Sequence, residues 1–206
     1  MGTTTNNGWT YPESTDLVKD GATAIQTLAD DIDTTLGVYA PSSSGLTLIN
    51  TTSFSGVSSQ SVNDVFSATY KNYLIHIALS GSTTDDVNMR MRVAGADNSS
   101  EVYTRATIYQ NNTSIVGQLI DSETSFRGIA QMRSSQSNFS QVTIVNPFAT
   151  ENTTIIQDST DQVGTANLTQ TRRMHTMTVT TSFTGFTLIA AAGNVTGSVS
   201  VFGYSV

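Results

Sequence analysis

Thr, Ser and Asn occupy 34, 26 and 14 of the 206 positions, while charged residues make up 12% of the chain against ~25% in a typical soluble domain. Leu, Ile, Val and Phe total 48 residues, above the roughly 20% level below which disorder is expected. The absence of cysteine excludes zinc ribbons, thiol catalysis and disulfide scaffolds, and a net charge of −7 with nine Lys and Arg argues against a phosphate-backbone binder. No apolar run approaches the ~20 residues of a membrane helix, and no basic start leads into an apolar signal segment.

Charge divides the chain. Residues 1–45 carry a net −5, residues 46–133 a net −1 and residues 134–206 a net −1, so an acidic N-terminal segment precedes a nearly neutral remainder. Met1 to Gly8 reads as a Thr/Asn/Gly arm, followed by Trp9, Tyr11 and Pro12 in a stretch that the proline biases to extended geometry. A helix is expected from Asp20 to Leu36, with Asp20 as N-cap and Gly37 as the residue that ends it. Val18, Ala22, Ile25, Ala29, Ile32 and Leu36 form a heptad seam that Leu28 widens. At under three heptads it is too short to stand alone in water, so three copies around an axis or a docked partner are expected to bury it, the alternative being packing on its own β domain. Asp30, Asp31 and Asp33 crowd its C-terminal half, where the macrodipole favours cations, so basic groups from elsewhere are expected to meet them. Residues 40–45 read as a linker.

From residue 46 the period becomes two. Tyr73, Ile75, Ile77 and Leu79 alternate, and Val87, Met89, Met91 and Val93 share a face opposite Asn88, Arg90 and Arg92. Further strands are expected near 46–54, 102–109, 114–120, 125–133, 139–147, 153–158, 163–171, 174–182, 185–192 and 197–204. Many short strands with intervening turn formers point to one antiparallel β-sandwich of two sheets over residues 46–206.

Asn6 to Asp16, running into Asp20-Gly-Ala-Thr-Ala-Ile25, resembles the N-terminus of bacteriophage fibre and tail-associated proteins. Asn63 to Leu74 is similar to a block in phage virion proteins with a jelly-roll-like β domain, and Arg90 to Gly95, Val145 to Ala149 and Gly193 to Tyr204 fit the same pattern. The resemblance implies a mainly β protein with a jelly-roll-like sandwich behind an extended arm and one short helix. It implies a non-enzymatic structural or host-recognition part of a phage particle, a homotrimer assembled in the bacterial cytoplasm and held to other virion proteins by residues 1–45. Trp9, Tyr11 and Pro12 are then the attachment candidates, with the seam residues as interface. Head or tail placement stays open.

Chemistry finds little to work with. His76 and His175 lack a nucleophile elbow or metal-binding spacing, so no metal or other cofactor is expected. Asp85/Asp86, Asp121/Glu123 and Asp158/Asp161 are the carboxylate pairs a polysaccharide-cleaving enzyme would need, but all lie in turn-like stretches where Asp caps local backbone. Arg90 and Arg92 are expected to pair with carboxylates, within the sandwich or across a subunit boundary. The alternative to a passive structural role is a host-glycan-binding module using exposed aromatics from Tyr103, Tyr109, Phe126 and Phe139; a depolymerase ranks last. Neither nucleic acid nor membrane insertion is expected.

Overall fold

The computed structural model describes residues 1–15, 17–39, 45–111, 114–134, 136–163 and 167–204. They form two units, Met1–Ser44 and Gly45–Val206. The expected linker falls, apart from Gly45, outside the described residues.

In the first unit, β1 (Gly2–Thr3) and β2 (Thr10–Tyr11) make a short antiparallel hairpin. A single 3₁₀ turn, Val18–Asp20, leads into α1 (Gly21–Tyr39). Two expectations are corrected here. Asp20 is not the N-cap, because the 3₁₀ turn starts one residue after Leu17, whose side chain makes no cap bond. Gly37 does not end the helix. Its φ is not positive, so it remains helical at a cost of ~1 kcal/mol relative to Ala, and α1 stops only two residues before Pro41, which disfavours helical geometry at the residue preceding it.

The second unit is an antiparallel β-sandwich. Its strands are β3 (Leu46–Val57), β4 (Ser59–Val62), β5 (Asn72–Gly81), β6 (Asp85–Val93), β7 (Ala96–Asp97), β8 (Tyr103–Asn111), β9 (Ser114–Glu123), β10 (Phe126–Met132), β11 (Asn138–Val145), β12 (Thr154–Val163), β13 (Asn167–Met177), β14 (Gly185–Ala190) and β15 (Val195–Tyr204). One sheet runs β3-β15-β5-β11-β12-β13-β8-β9; the other runs β10-β6-β14-β4, with β7 on β6. Following the chain, β3-β15-β5-β11 faces β4-β14-β6-β10 through alternating crossovers, the double Greek key of an eight-stranded jelly roll. The hairpins β8–β9 and β12–β13 are insertions that extend one sheet sideways into a four-stranded wing. The expected strands 163–171 and 174–182 correspond to the single strand β13, while β4 was not anticipated.

Alternation places the core. Tyr73, Ile75, Ile77 and Leu79 of β5 point inward against Val87, Met89 and Met91 of β6 and Phe186 and Leu188 of β14, all 2% exposed or less. Phe66, Tyr73 and Phe186 add edge and tilted ring contacts at 4.8 and 5.9 Å. The Tyr73 hydroxyl donates to the Ser67 carbonyl and accepts from the Ser67 amide, so its burial leaves no polar group unpaired.

Two glycines separate packing from propensity. A Cβ at Gly197 would lie 2.2 Å from the Ala78 carbonyl oxygen, whereas one at Gly37 meets nothing within 4 Å. Gly197→Ala is expected to destabilise the β unit by roughly 2 kcal/mol or more, because two paired backbones must separate. Gly37→Ala is expected to raise the stability of α1 by ~1 kcal/mol. Thermal unfolding followed by circular dichroism reads both; a neutral Gly197→Ala would contradict the tight β15–β5 packing.

Candidate interaction surfaces

The N-terminal unit is held together by a few polar bonds between arm and helix. The indole Nε1–H of Trp9 donates to Thr35 Oγ1 at 2.8 Å, and Thr35 in turn donates to the Asp31 carbonyl. The Thr10 amide donates to Asp31 Oδ2 at 2.9 Å. Trp9 is therefore half-buried on its own helix, while Tyr11 and Pro12 are exposed. Asp30 accepts from Gln26 Nε2, and Asp33 is exposed. Among the described residues no Lys or Arg pairs with these three aspartates; a backbone amide and a side-chain amide serve Asp31 and Asp30.

Docking of the arm uses one face of α1, through Ala24, Thr27, Leu28, Asp31, Ile32 and Thr35, which are buried or half-buried. The remaining seam is left uncovered. Val18 is 97% exposed, Ile25 62% and Leu36 59%, and Ala22 and Ala29 are exposed beside them. Next to it, an open groove of about 490 Å³ is lined by Pro12, Leu17, Val18, Ala24 and neighbouring residues of the same unit.

In the β unit, the outer face of the smaller sheet carries Arg90 and Arg92. Arg92 pairs with Asp97, donates to the Gly95 carbonyl, and reaches Thr187 Oγ1 at 2.7 Å and Asn63 Oδ1 at 2.9 Å. Arg90 Nε donates to the Thr124 carbonyl. Arg92 thus has a carboxylate partner on its own sheet, and Arg90 a backbone carbonyl.

The inner face of the wing holds a buried polar cluster that sequence reading did not bring together, naming His175 and Glu123 only separately. Arg105 of β8 makes a two-pronged pair with Glu123 of β9, Nε and Nη2 each 3.2 Å from a carboxylate oxygen. Arg173 of β13 donates from Nη1 to the Gly128 carbonyl at 2.6 Å. Gly128 has φ +70°, and a Cβ there would sit 2.9 Å from the Arg173 guanidinium carbon, so glycine both makes the bend and admits the arginine. Burial pushes the Arg173 guanidinium below its ordinary value. Gln157 Nε2 reaches Ser140 Oγ, which donates to the Ile129 carbonyl. His175 is 2% exposed, its ring packs edge-on to Phe126 at 5.3 Å, and neither ring nitrogen has a hydrogen-bond partner. Burial, reinforced by Arg173 and Arg105, lowers its pKa to about 3, so the imidazole is neutral. The one available signal was alternation: Thr171, Arg173, His175 and Met177 share a face, and only Met177 looks like core.

The carboxylate pairs are taken individually. Asp86 lies 3.9 Å from Arg127 Nε, Asp158 3.8 Å from Arg172 Nε, and Glu123 is bound by Arg105. No group of three or more His, Asp or Glu among the described residues is placed to hold a metal. Of the four aromatics expected as a glycan platform, Tyr103 and Phe126 are fully buried, with burial raising the Tyr103 pKa to about 12. Tyr109 is half-buried and Phe139 is 45% exposed. Phe139 and Phe202 flank His76 on the outer face of the larger sheet, ring centroids 5.3 Å away on either side. Comparison with protein-family models, curated proteins and solved structures finds no match for this chain.

The neutral His175 has a consequence for acid stability. Below pH 6.5 the unfolded chain protonates this imidazole while the folded chain resists until about pH 3, so stability falls through that window, by on the order of a few kcal/mol in all. His175→Gln is expected to flatten the dependence of the urea midpoint on pH between 6.5 and 4 relative to the parent. Equal slopes would show that His175 is solvated.

Proposed function

We propose that this chain is a non-enzymatic structural component of a bacteriophage particle, attached through residues 1–45 and projecting its β-sandwich outward as a fibre knob or decoration subunit. The observation that carries the proposal is the uncovered seam of α1. Arm and helix form a preorganised unit whose one polar-bonded face is satisfied and whose apolar stripe, Val18, Ala22, Ile25, Ala29 and Leu36, is left exposed by that unit. Burying a side chain such as Ile25 or Leu36 contributes ~1.5–3 kcal/mol each, which three seams around an axis supply. The groove lined by Pro12, Leu17 and Val18 gives a second apolar concavity for another virion protein. The near-neutral, hydroxyl-rich β unit suits symmetric packing, because copies meet without like-charge repulsion.

A second reading, recognition of host-surface glycan, draws support from the Phe139–His76–Phe202 cluster, an aromatic patch on an otherwise Thr/Ser-rich sheet face.

The proposal predicts that Ile25→Asp combined with Leu36→Asp abolishes the association made through α1, lowering the mass read by light scattering with far-ultraviolet circular dichroism retained, and removes the protein from purified particles. A parent chain that is absent from particles overturns the attachment reading.

A further inference from the structure

Glycines inside strands weaken them unless the missing side chain makes room for something. Among the described strand glycines without a positive φ, Gly2, Gly81, Gly185, Gly197 and Gly203 each explain themselves: a Cβ would meet a neighbour at 2.2 to 2.7 Å. Gly117 alone meets nothing within 4 Å. It sits at the middle of β9, the last strand of the eight-stranded sheet, with its far edge unpaired.

β9 is also the least protected edge of the sandwich. Edge strands are normally blunted by shortness, bulges, Lys or Pro. β4 has four residues, β10 is broken by an irregularity between Phe126 and Ala130, and β3 by two irregularities against β15. β9 has ten residues with no Lys, Arg or Pro; its ladder with β8 is irregular only between Ile120 and Glu123, at its acidic end, and is regular over the seven residues from Ser114 to Ile120. Ile115 and Leu119, two residues either side of Gly117 on the outer face, are 78% and 75% exposed, the most exposed large apolar side chains of the β unit.

We infer that β9 is a two-fold interface, pairing antiparallel with β9 of a second copy of this chain and centred on Gly117. The identity of the occupant follows from the pattern being its own complement. A two-fold axis through Gly117, normal to the sheet, sets Leu119 beside the partner's Ile115 and Ile115 beside the partner's Leu119, as an isologous contact requires. The two glycines lie opposite each other between these pairs. Cross-strand apolar pairs of this kind contribute on the order of 0.2–1 kcal/mol each beyond the new backbone bonds. Charge selects the same orientation. The only charges on β9, Asp121 and Glu123, lie at its C-terminal end. Antiparallel pairing sends the two acidic ends in opposite directions, whereas parallel pairing stacks them. The result is a continuous sheet through two wings, and this contact is independent of any association through α1 and of the attachment reading.

The chain has no cysteine, which makes the test direct. Antiparallel partners have Cα atoms ~4.5–5.5 Å apart, inside the ~4.4–6.8 Å that a disulfide spans. Full-length Gly117→Cys under mild oxidation is expected to form a covalent dimer roughly tenfold faster than full-length Thr160→Cys, because a preformed pair holds the thiols at a high effective concentration. Thr160 is exposed on β12, so the control shares any association through α1 but lies off the proposed seam. Adding Leu119→Asp, which sets a carboxylate against the partner's Ile115, is expected to abolish the difference. The inference is overturned if Gly117→Cys couples no faster than Thr160→Cys, which would favour a strand of another protein at this edge, or if Leu119→Asp leaves the rate unchanged.

Discussion

A sheet face removed from water must carry side chains that tolerate burial, and the insertions β8–β9 and β12–β13 extend one sheet beyond the strands able to cover it. Over the jelly roll proper, apolar residues from both sheets meet and the demand is easily satisfied. Over the wing the cover thins to β10 and to β6, whose Met91 amide donates to the Tyr103 hydroxyl, and the inward positions become Gln157, Ser159, Thr171, Arg173, Arg105 and Thr107, all nearly buried. Removing an isolated charge from water costs several kcal/mol, so such a face persists only where partners are built in. Glu123 reaches back from β9 to Arg105, and Gly128 turns its carbonyl to Arg173. By β9 the cover has run out, since Gln118 on its inner face is exposed. The polar interior and the bare edge are therefore two consequences of one mismatch in sheet width.

The N-terminal unit meets a similar problem at smaller scale. A helix with little else to pack on has to satisfy two faces. One is taken by the hairpin through bonds from Trp9 and Thr10 to Thr35 and Asp31. That docking consumes Trp9, so the large aromatic nearest the helix acts within the unit and leaves Tyr11, Pro12 and the heptad stripe facing outward. Asp31 shows how the acidic character is used: its carboxylate serves a backbone amide of the arm, which explains one acid near the C-terminal half of a helix without a cation.

Much of this was legible from residue order. The change from a period of 3.6 to a period of 2 near residue 46 separates the two units, and the Tyr73–Leu79 and Val87–Val93 alternations place the central strands on their correct faces. The heptad spacing identified the stripe that the fold leaves exposed. Failures have local causes. Gly37 reads as a stop, but helix ends are decided by whether the glycine adopts a left-handed conformation, and this one does not. β4 is Ser-Gln-Ser-Val, too short and polar to register as a strand. The expected strands 163–171 and 174–182 break at Arg172-Arg173, two adjacent charges that β13 carries on opposite faces, Arg173 pointing into the sandwich. Nothing in the order of residues shows that Glu123 and Gly128 will be placed to receive Arg105 and Arg173, since that depends on which strands the insertions bring together.

Each unit presents an exposed surface: the apolar stripe of α1 and the edge of β9 from Ser114 to Ile120. We propose that the working form of the protein is an assembly of copies of this chain. Sedimentation equilibrium of the unmodified full-length chain over a wide concentration range tests it most directly. The account predicts average masses that rise to a whole-number multiple of the 21.9 kDa protomer; a mass that stays at the protomer value at every concentration would contradict it.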